Sequence, residues 1–151
     1  MSNNEGRKLD DNKPEYAYLG RTDTWWHSSP EDPNSFYRLA SYYADTFWFK
    51  GDKWALLELL RHINRHPDFD LDCIITVSKS GAQKYGLLNY RKGLAWSRLF
   101  SSLRRHLYHY PLVFGEAVDE ETNMPHWAHA YCCAAFLYEY ATENLGTDDR
   151  T

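Results

Sequence analysis

The chain reads as an all-α protein, about five helices in a compact bundle, with a long N-terminal loop or insert ahead of the core helices. Three observations carry that reading. Apolar residues recur at three- and four-residue spacing in five separate segments. Helix-start residues (Ser, Asp, Pro) and helix-stop residues (Gly, Pro) bracket most of these segments. No strand-hairpin signal and no internal repeat occur.

At 151 residues the length suits one domain with a single core. It is divided here into an extended N-terminal segment (1–20), an insert-like loop plus two helices (20–70) and a core set of helices (71–145). Residues 1–20 are polar and contain Arg7-Lys8-Leu9-Asp10-Asp11-Asn12-Lys13-Pro14, where Pro14 biases Lys13 away from the helical region. Residues 21–35 form a loop with Trp25-Trp26 and a Ser28-Ser29-Pro30-Glu31-Asp32-Pro33 cluster.

From about Ser35 to Phe49, the side chains of Phe36, Leu39, Ala40, Tyr43 and Phe47 fall on one helical stripe, which Gly51-Asp52 breaks. Asp52 can cap a second helix with Trp54, Leu57, Leu60 and Ile63 inward, ending near His66-Pro67. Asp70 or Asp72 opens a third segment, Leu71 to about Tyr85. Its β-branched Cys73–Val77 run suits a strand by propensity. The spacing of Leu71, Ile74, Ile75, Ser78, Ala82 and Tyr85 favours a helix instead.

After a loop from Gly86 to Ala95, Ser97 is expected to cap a helix from Arg98 to Tyr110, with Leu99, Leu103, His106, Leu107 and Tyr110 on one face. Pro111 and Gly115 mark the way out. The last helix runs from Pro125 to about Asn144, with Pro at its first position and Gly146 past its end. Asp148 to Thr151 is expected to fray.

Composition narrows the function. A net charge of -4 gives no general attraction to nucleic acid or to acidic membrane. No apolar run approaches membrane-spanning length, and Met1–Gly6 lacks the apolar stretch of a signal peptide. Three Cys, two of them adjacent at Cys132-Cys133, do not make a disulfide framework, so a reducing, cytoplasmic setting is expected. Aromatics reach 17%, a load that points to a homo-oligomer burying apolar faces between copies.

The densest chemistry lies in Gly115–His129, where Glu116, Asp119, Glu120 and Glu121 precede a helix carrying His126 and His129. Two His at i and i+3, with carboxylates a short loop away, can supply nitrogen and oxygen ligands to a divalent cation. The same pair could equally be buried, hydrogen-bonded core histidines. Continuing that side of the helix gives Cys133, Phe136 and Leu137. Upstream, His106 sits in an apolar stripe, while Arg98, Ser102, Arg105 and His109 form a polar, cationic side that can clamp phosphates or simply be solvated.

Lys79, Lys84, Arg91 and Lys92 flank a Gly-punctuated loop with Tyr85, Asn89, Tyr90 and Trp96, a mixture suited to a small-molecule nucleotide: stacking for the base, cations for the phosphates. There is no P-loop, no dinucleotide-binding Gly-x-Gly-x-x-Gly and no Cys-x-x-Cys. Cys132 and Cys133 sit mid-helix in apolar company, with nothing to lower a thiol pKa, which argues against a Cys nucleophile.

Three blocks resemble one family, the N-terminal domain of dATP/dGTP diphosphohydrolases of phage and bacteria, similar in outline to all-α nucleoside-triphosphate pyrophosphatases of the MazG type. They are Lys8–Pro14; Gly81–Gly86 with Asn89–Gly93, Trp96–Leu99 and Arg105–Leu107; and Gly115-Glu116, Asp119, Glu121-Thr122 with Pro125–Ala130 and Cys132–Leu137. Tyr90 stands where the family usually has Trp, and Asn123 where it usually has Gly. Asn also tolerates a left-handed backbone. The insert between Leu19 and about Asp70 has little counterpart in the family.

The resemblance implies hydrolysis of a purine deoxynucleoside triphosphate to monophosphate and pyrophosphate, in the host cytoplasm if the chain is phage-encoded. It implies a divalent metal, magnesium or manganese first. The paired Glu-x-x-Glu and Glu-x-x-Asp helices of the MazG type are not found, and a His/carboxylate mixture favours manganese, cobalt, zinc or iron over magnesium.

Residue chemistry then assigns roles. Asp119, His126 and His129 are the metal ligands, with Glu116 or His106 as additions. Glu116 or Glu121 is the base, with His106 a third candidate for the chemistry. Lys13, Lys84, Arg98 and Arg105 neutralise phosphate charge, and Tyr85, Asn89 or Trp96 hold base and sugar. The competing reading is a protein that sequesters a nucleotide or nucleotide signal without cleaving it.

Overall fold

The computed structural model describes residues 34–86 and 89–150. These residues form five α-helices and no sheet: α1 (Ser35–Lys50), α2 (Trp54–Asn64), α3 (Leu71–Tyr85), α4 (Trp96–Arg104) and α5 (His126–Glu143). A single 3₁₀ turn, Asn89–Lys92, joins α3 to α4, and α4 widens into a π-helical segment, Arg105–Val113. None of the helices among the described residues is long and apolar enough to cross a membrane.

The centre is α5, which packs against α2, α3, α4 and the π segment. Its Trp127, Ala128, Ala130, Cys132, Cys133, Ala134, Leu137 and Tyr140 are all buried, so it is apolar nearly all round, as a helix surrounded by others must be. One apolar cluster joins these side chains to Phe47 of α1, Leu56, Leu59 and Ile63 of α2, and Phe100 and Leu103 of α4. Between α1 and α4 lies a fully enclosed ion pair: Arg104 Nη2 donates to Asp45 Oδ1 at 2.9 Å, with both side chains at most 2% exposed. The Arg104 guanidinium also rests on Phe100 and Phe49.

The ends of α3 and α5 follow their capping residues. Asp70 accepts from Asp72 N–H at 2.9 Å, an N-cap. Pro125 immediately precedes the first turn of α5, and Asn144, in the left-handed region at φ 56°, ends it.

Five expectations are corrected. The buried side of α2 is Leu56, Leu59 and Ile63, while Trp54 is 59% exposed, with Lys53 over its ring. In α3 only Ile74 and Val77 are buried, and Leu71 and Ile75 face outward. That helix packs chiefly on α5, so it buries a narrow stripe.

Ser97 does not cap α4 but lies in its first turn. Its N–H and hydroxyl both donate to the carboxylate of Asp149, at 3.0 and 2.6 Å. The C-terminal segment is therefore docked rather than frayed up to Arg150. Thr147 pairs with Leu94 and Trp96 through the backbone, and Arg150 lies over Trp96 and Phe47. Gly146 makes this possible, because a Cβ there would stand 2.3 Å from the Leu94 carbonyl oxygen.

Finally, Pro111 does not end the helix but sits inside the π segment. In an α-helix its ring would strike the carbonyl four residues back, and a wider turn relieves that clash. The widened turn continues in the bond from Phe114 N–H to the His109 carbonyl, five residues back, at 3.0 Å.

Candidate functional site

The connection between the π segment and α5 is built around Asp119. Its Oδ2 accepts from the N–H of Glu121 (3.0 Å) and Thr122 (3.1 Å), and its backbone pairs with Met124 and Asn123. Asn123 closes the turn at φ 58°, the conformation its side chain tolerates. Among the described residues Asp119 Oδ1 accepts no hydrogen bond, which leaves it available to a ligand.

Against this turn stand three histidines. His129 Nε2 is 2.7 Å from the Thr122 hydroxyl and 3.5 Å from Asp119 Oδ2. Its ring stacks on His106 at 4.4 Å. His106 Nδ1 lies 2.9 Å from His126 Nδ1, and His126 Nε2 lies 3.1 Å from Glu116 Oε1. The ligating atoms of His106, Asp119 and His126 all fall within 4.8 Å of one another. Burial, the largest influence on each, lowers the pKa of His126 and brings that of His129 down to about 4, against the opposing pull of Asp119 and Glu116. Neutral imidazoles are the form that binds a cation. The chemistry of this donor set, two or three buried imidazoles and a carboxylate oxygen, fits a divalent metal.

This corner forms one wall of a cavity of about 350 Å³. The end of α3 contributes Ser78, Gly81, Lys84 and Tyr85, and the 3₁₀ turn contributes Asn89 and Tyr90. From α4 and the π segment come Leu99, Ser102, Arg105 and His106, and from α5 His129, Cys132, Cys133 and Phe136. Tyr90 and Phe136 stack at 4.1 Å. His129 and Phe136 are seven residues apart on α5, so the polar and aromatic regions are separated by about 10 Å at 1.5 Å per residue. Lys84 Nζ and Glu121 Oε1 form a 2.7 Å ion pair, both side chains partly exposed.

Of the residues singled out from sequence, Lys84, Tyr85, Asn89, Arg105, His106, Asp119, Glu121 and His129 line this cavity together. His126 is 0% exposed and lies behind His106, with Glu116 behind it in turn, so neither is on the cavity wall. Arg98 is not on it either. Trp96 is turned away: its indole N–H donates to the Leu145 carbonyl at 2.8 Å, and its ring packs against Phe47 and Arg150. Lys13 lies outside the described residues.

The group whose potential ligand atoms converge is His106, Asp119 and His126, with His129 beside it at 3.5 Å from Asp119. Sequence reasoning did not assign Phe136, Cys132 and Cys133 to the site, whereas Ser102, read from sequence as part of a phosphate-clamping face, does line the cavity. Phe136 and Cys133 were nevertheless visible as the continuation of the His126/His129 side of the helix.

The family described as dATP/dGTP diphosphohydrolase, N-terminal, matches residues 71–150, just over half of the chain and all of the cavity's walls. No curated protein and no solved structure matches. The chain belongs to this dATP/dGTP diphosphohydrolase N-terminal family.

Proposed function

We propose that this family member hydrolyses a purine deoxynucleoside triphosphate of the dATP/dGTP kind to the monophosphate and pyrophosphate. The observation that carries the reading is the two-ended cavity: an aromatic region at Tyr90 and Phe136, and a cation, imidazole and carboxylate corner about 10 Å along the same helix. That is the division of labour a nucleotide asks for, since a base needs a flat apolar surface and a polyphosphate needs charge-assisted donors.

In this reading Tyr85, Asn89, Tyr90 and Phe136 receive base and sugar. Arg105 and Lys84 receive phosphate oxygens, Arg105 being 2% exposed and so a strongly desolvated charge. Lys84 is paired with Glu121 before substrate arrives. A phosphate chain competes for that ammonium, and the freed Glu121 carboxylate is then placed to take a proton from the attacking water. The water oxygen bonds to the α-phosphorus and the bond to the β-phosphate breaks, releasing pyrophosphate. His106, Asp119 and His126 would hold a divalent metal, with His129 beside them. A bound metal supplies Lewis acidity to the phosphoryl oxygens. The nitrogen-rich donor set suits manganese, cobalt, zinc or iron better than magnesium.

One observation favours sequestration without cleavage: the carboxylate on the cavity wall nearest a cation, Glu121, is already engaged by Lys84. The same assay separates the two readings. Purified protein is incubated with a panel of nucleoside and deoxynucleoside triphosphates and several divalent metals, and the products are resolved by chromatography. Hydrolysis predicts pyrophosphate release that Asp119→Asn and His129→Ala each lower at least about a hundredfold, or about 2.7 kcal/mol, with unchanged circular dichroism. Wild-type turnover in both variants overturns the assignment of this corner. Tight binding with the nucleotide recovered intact replaces hydrolysis with sequestration.

A further inference from the structure

Glu116 stands behind the cavity, and its surroundings point to a different task from proton transfer to water. Its Oε1 faces Nε2 of His126 at 3.1 Å, and His126 is fully buried. A neutral imidazole carries one ring proton. The ring faces two acceptors, the Glu116 carboxylate at Nε2 and the Val118 backbone carbonyl. The charged carboxylate is the stronger, so the proton is placed on Nε2, His126 N–H donates to Glu116 and Nδ1 keeps its lone pair. Nδ1 is the atom turned toward His106. Glu116 is itself held in place: its N–H donates to the Tyr110 carbonyl at 2.8 Å, and the Tyr110 ring packs on His126 at 5.1 Å. The end of the π segment thus fixes the carboxylate against the histidine.

We propose that Glu116 is a positioning residue for a divalent metal held by His106, Asp119 and His126, locking His126 in the Nε2–H tautomer so that Nδ1 is presented as the ligand atom. The inference rests on the metal-dependent reading above and goes beyond it by giving the carboxylate a defined task outside the coordination sphere. A carboxylate behind a ligating histidine sets the ring's orientation and raises its basicity, and losing it costs on the order of 10–100-fold in metal affinity. Glu116 is not among the residues that line the cavity, so it is not placed to touch substrate there.

The test is a cobalt(II) titration of the full chain, read by visible d–d absorption and by melting temperature, for wild type, Glu116→Gln, Glu116→Ala and Asp119→Asn. The wild type is expected to bind with bands of nitrogen-rich coordination, and Asp119→Asn to lose binding. Glu116→Ala should bind on the order of 10–100-fold more weakly, with shifted bands. Glu116→Gln, whose amide oxygen still accepts the His126 N–H without the charge, should fall between Glu116→Ala and wild type.

If Glu116→Ala binds with wild-type affinity and bands while Asp119→Asn does not bind, the role of Glu116 is overturned and the metal site stands. If the wild type binds no cobalt, the metal site is overturned and this role with it. If Glu116→Ala does not fold, Glu116→Leu, which fills similar space but cannot accept the His126 N–H, takes its place, and unchanged affinity and bands overturn the proposal.

Discussion

On the α1–α2 side of the protein, the ring of His62 stacks on Phe36 at 4.5 Å and that of His66 on Trp127 at 5.7 Å. On the cavity side, His106 stacks on His129 at 4.4 Å. Burial is the largest influence on His62, His66, His126 and His129, and it lowers the pKa of all four. Depth and perturbed acidity therefore do not tell the two groups apart. Their partners do. His62 is satisfied by the Phe36 carbonyl at 2.9 Å and serves as one more flat ring in an aromatic stack. Around His106, His126 and His129 stand Asp119 and Glu116, with a cavity in front. The carboxylates and the opening, rather than the histidines, set this corner apart.

The carboxylates divide in the same way, and that division can be broken by substitution. Asp45 and Arg104 are a sealed pair that does not line the cavity. Asp45→Ala would leave a buried guanidinium without its carboxylate and is expected to cost about 3–5 kcal/mol of stability. Urea unfolding measures this. A loss below about 1 kcal/mol would mean that solvent reaches Arg104, and the contrast between a sealed and an open side would fail. Lys84 and Glu121 are the opposite case, a pair with side chains 32% and 59% exposed. Lys84→Ala is expected to change stability by no more than about 0.5 kcal/mol. It should raise KM about tenfold or more, because a phosphate contact is lost. Steady-state kinetics beside the same unfolding curves separates the two effects.

How much of this was legible in the sequence depended on how local each cause was. The bounds of α3 and α5 could be read because their signals, Asp70, Pro125 and Asn144, lie at the helix ends themselves. The Asp119 turn and the two histidines of α5 could be read together because they are neighbours in the chain. The inward side of α2 could not. Trp54-Ala55-Leu56-Leu57 and Leu59-Leu60 offer apolar residues on two sides, and contacts with α1 and α5 choose between them.

Two errors arose from partners distant in sequence. Asp149 satisfies the start of α4 from 52 residues away, so Ser97 looked like its own cap. Arg150 covers Trp96, so an indole set among cations looked like a base platform. Pro111 misled for another reason: ending a helix and widening it to a π turn both relieve the same steric clash.

The smallest expected effect tests the histidines of the α1–α2 side as packing groups. His62 has a folded pKa below its ordinary value of 6.5, through burial first and through Arg65 and His66 further, against the pull of the Phe36 carbonyl. Between the folded and unfolded pKa values the unfolded chain binds more protons. The contribution of His62 to stability is therefore complete above about pH 6.5 and declines as the pH falls toward the folded value.

Replacing His62 with Phe keeps a flat ring on Phe36 and removes the titration. The variant gives up the bond to the Phe36 carbonyl, about 1 kcal/mol at pH 7.5, yet loses less stability than wild type on going to pH 5. The other lowered histidines are present in both proteins, so the difference of differences reports His62 together with its coupling to His66. Nucleotide turnover at pH 7.5 should be the same in both. An unchanged acid loss would place His62 outside the packed aromatic stack, and a fall in turnover would tie the α1–α2 side to the cavity after all.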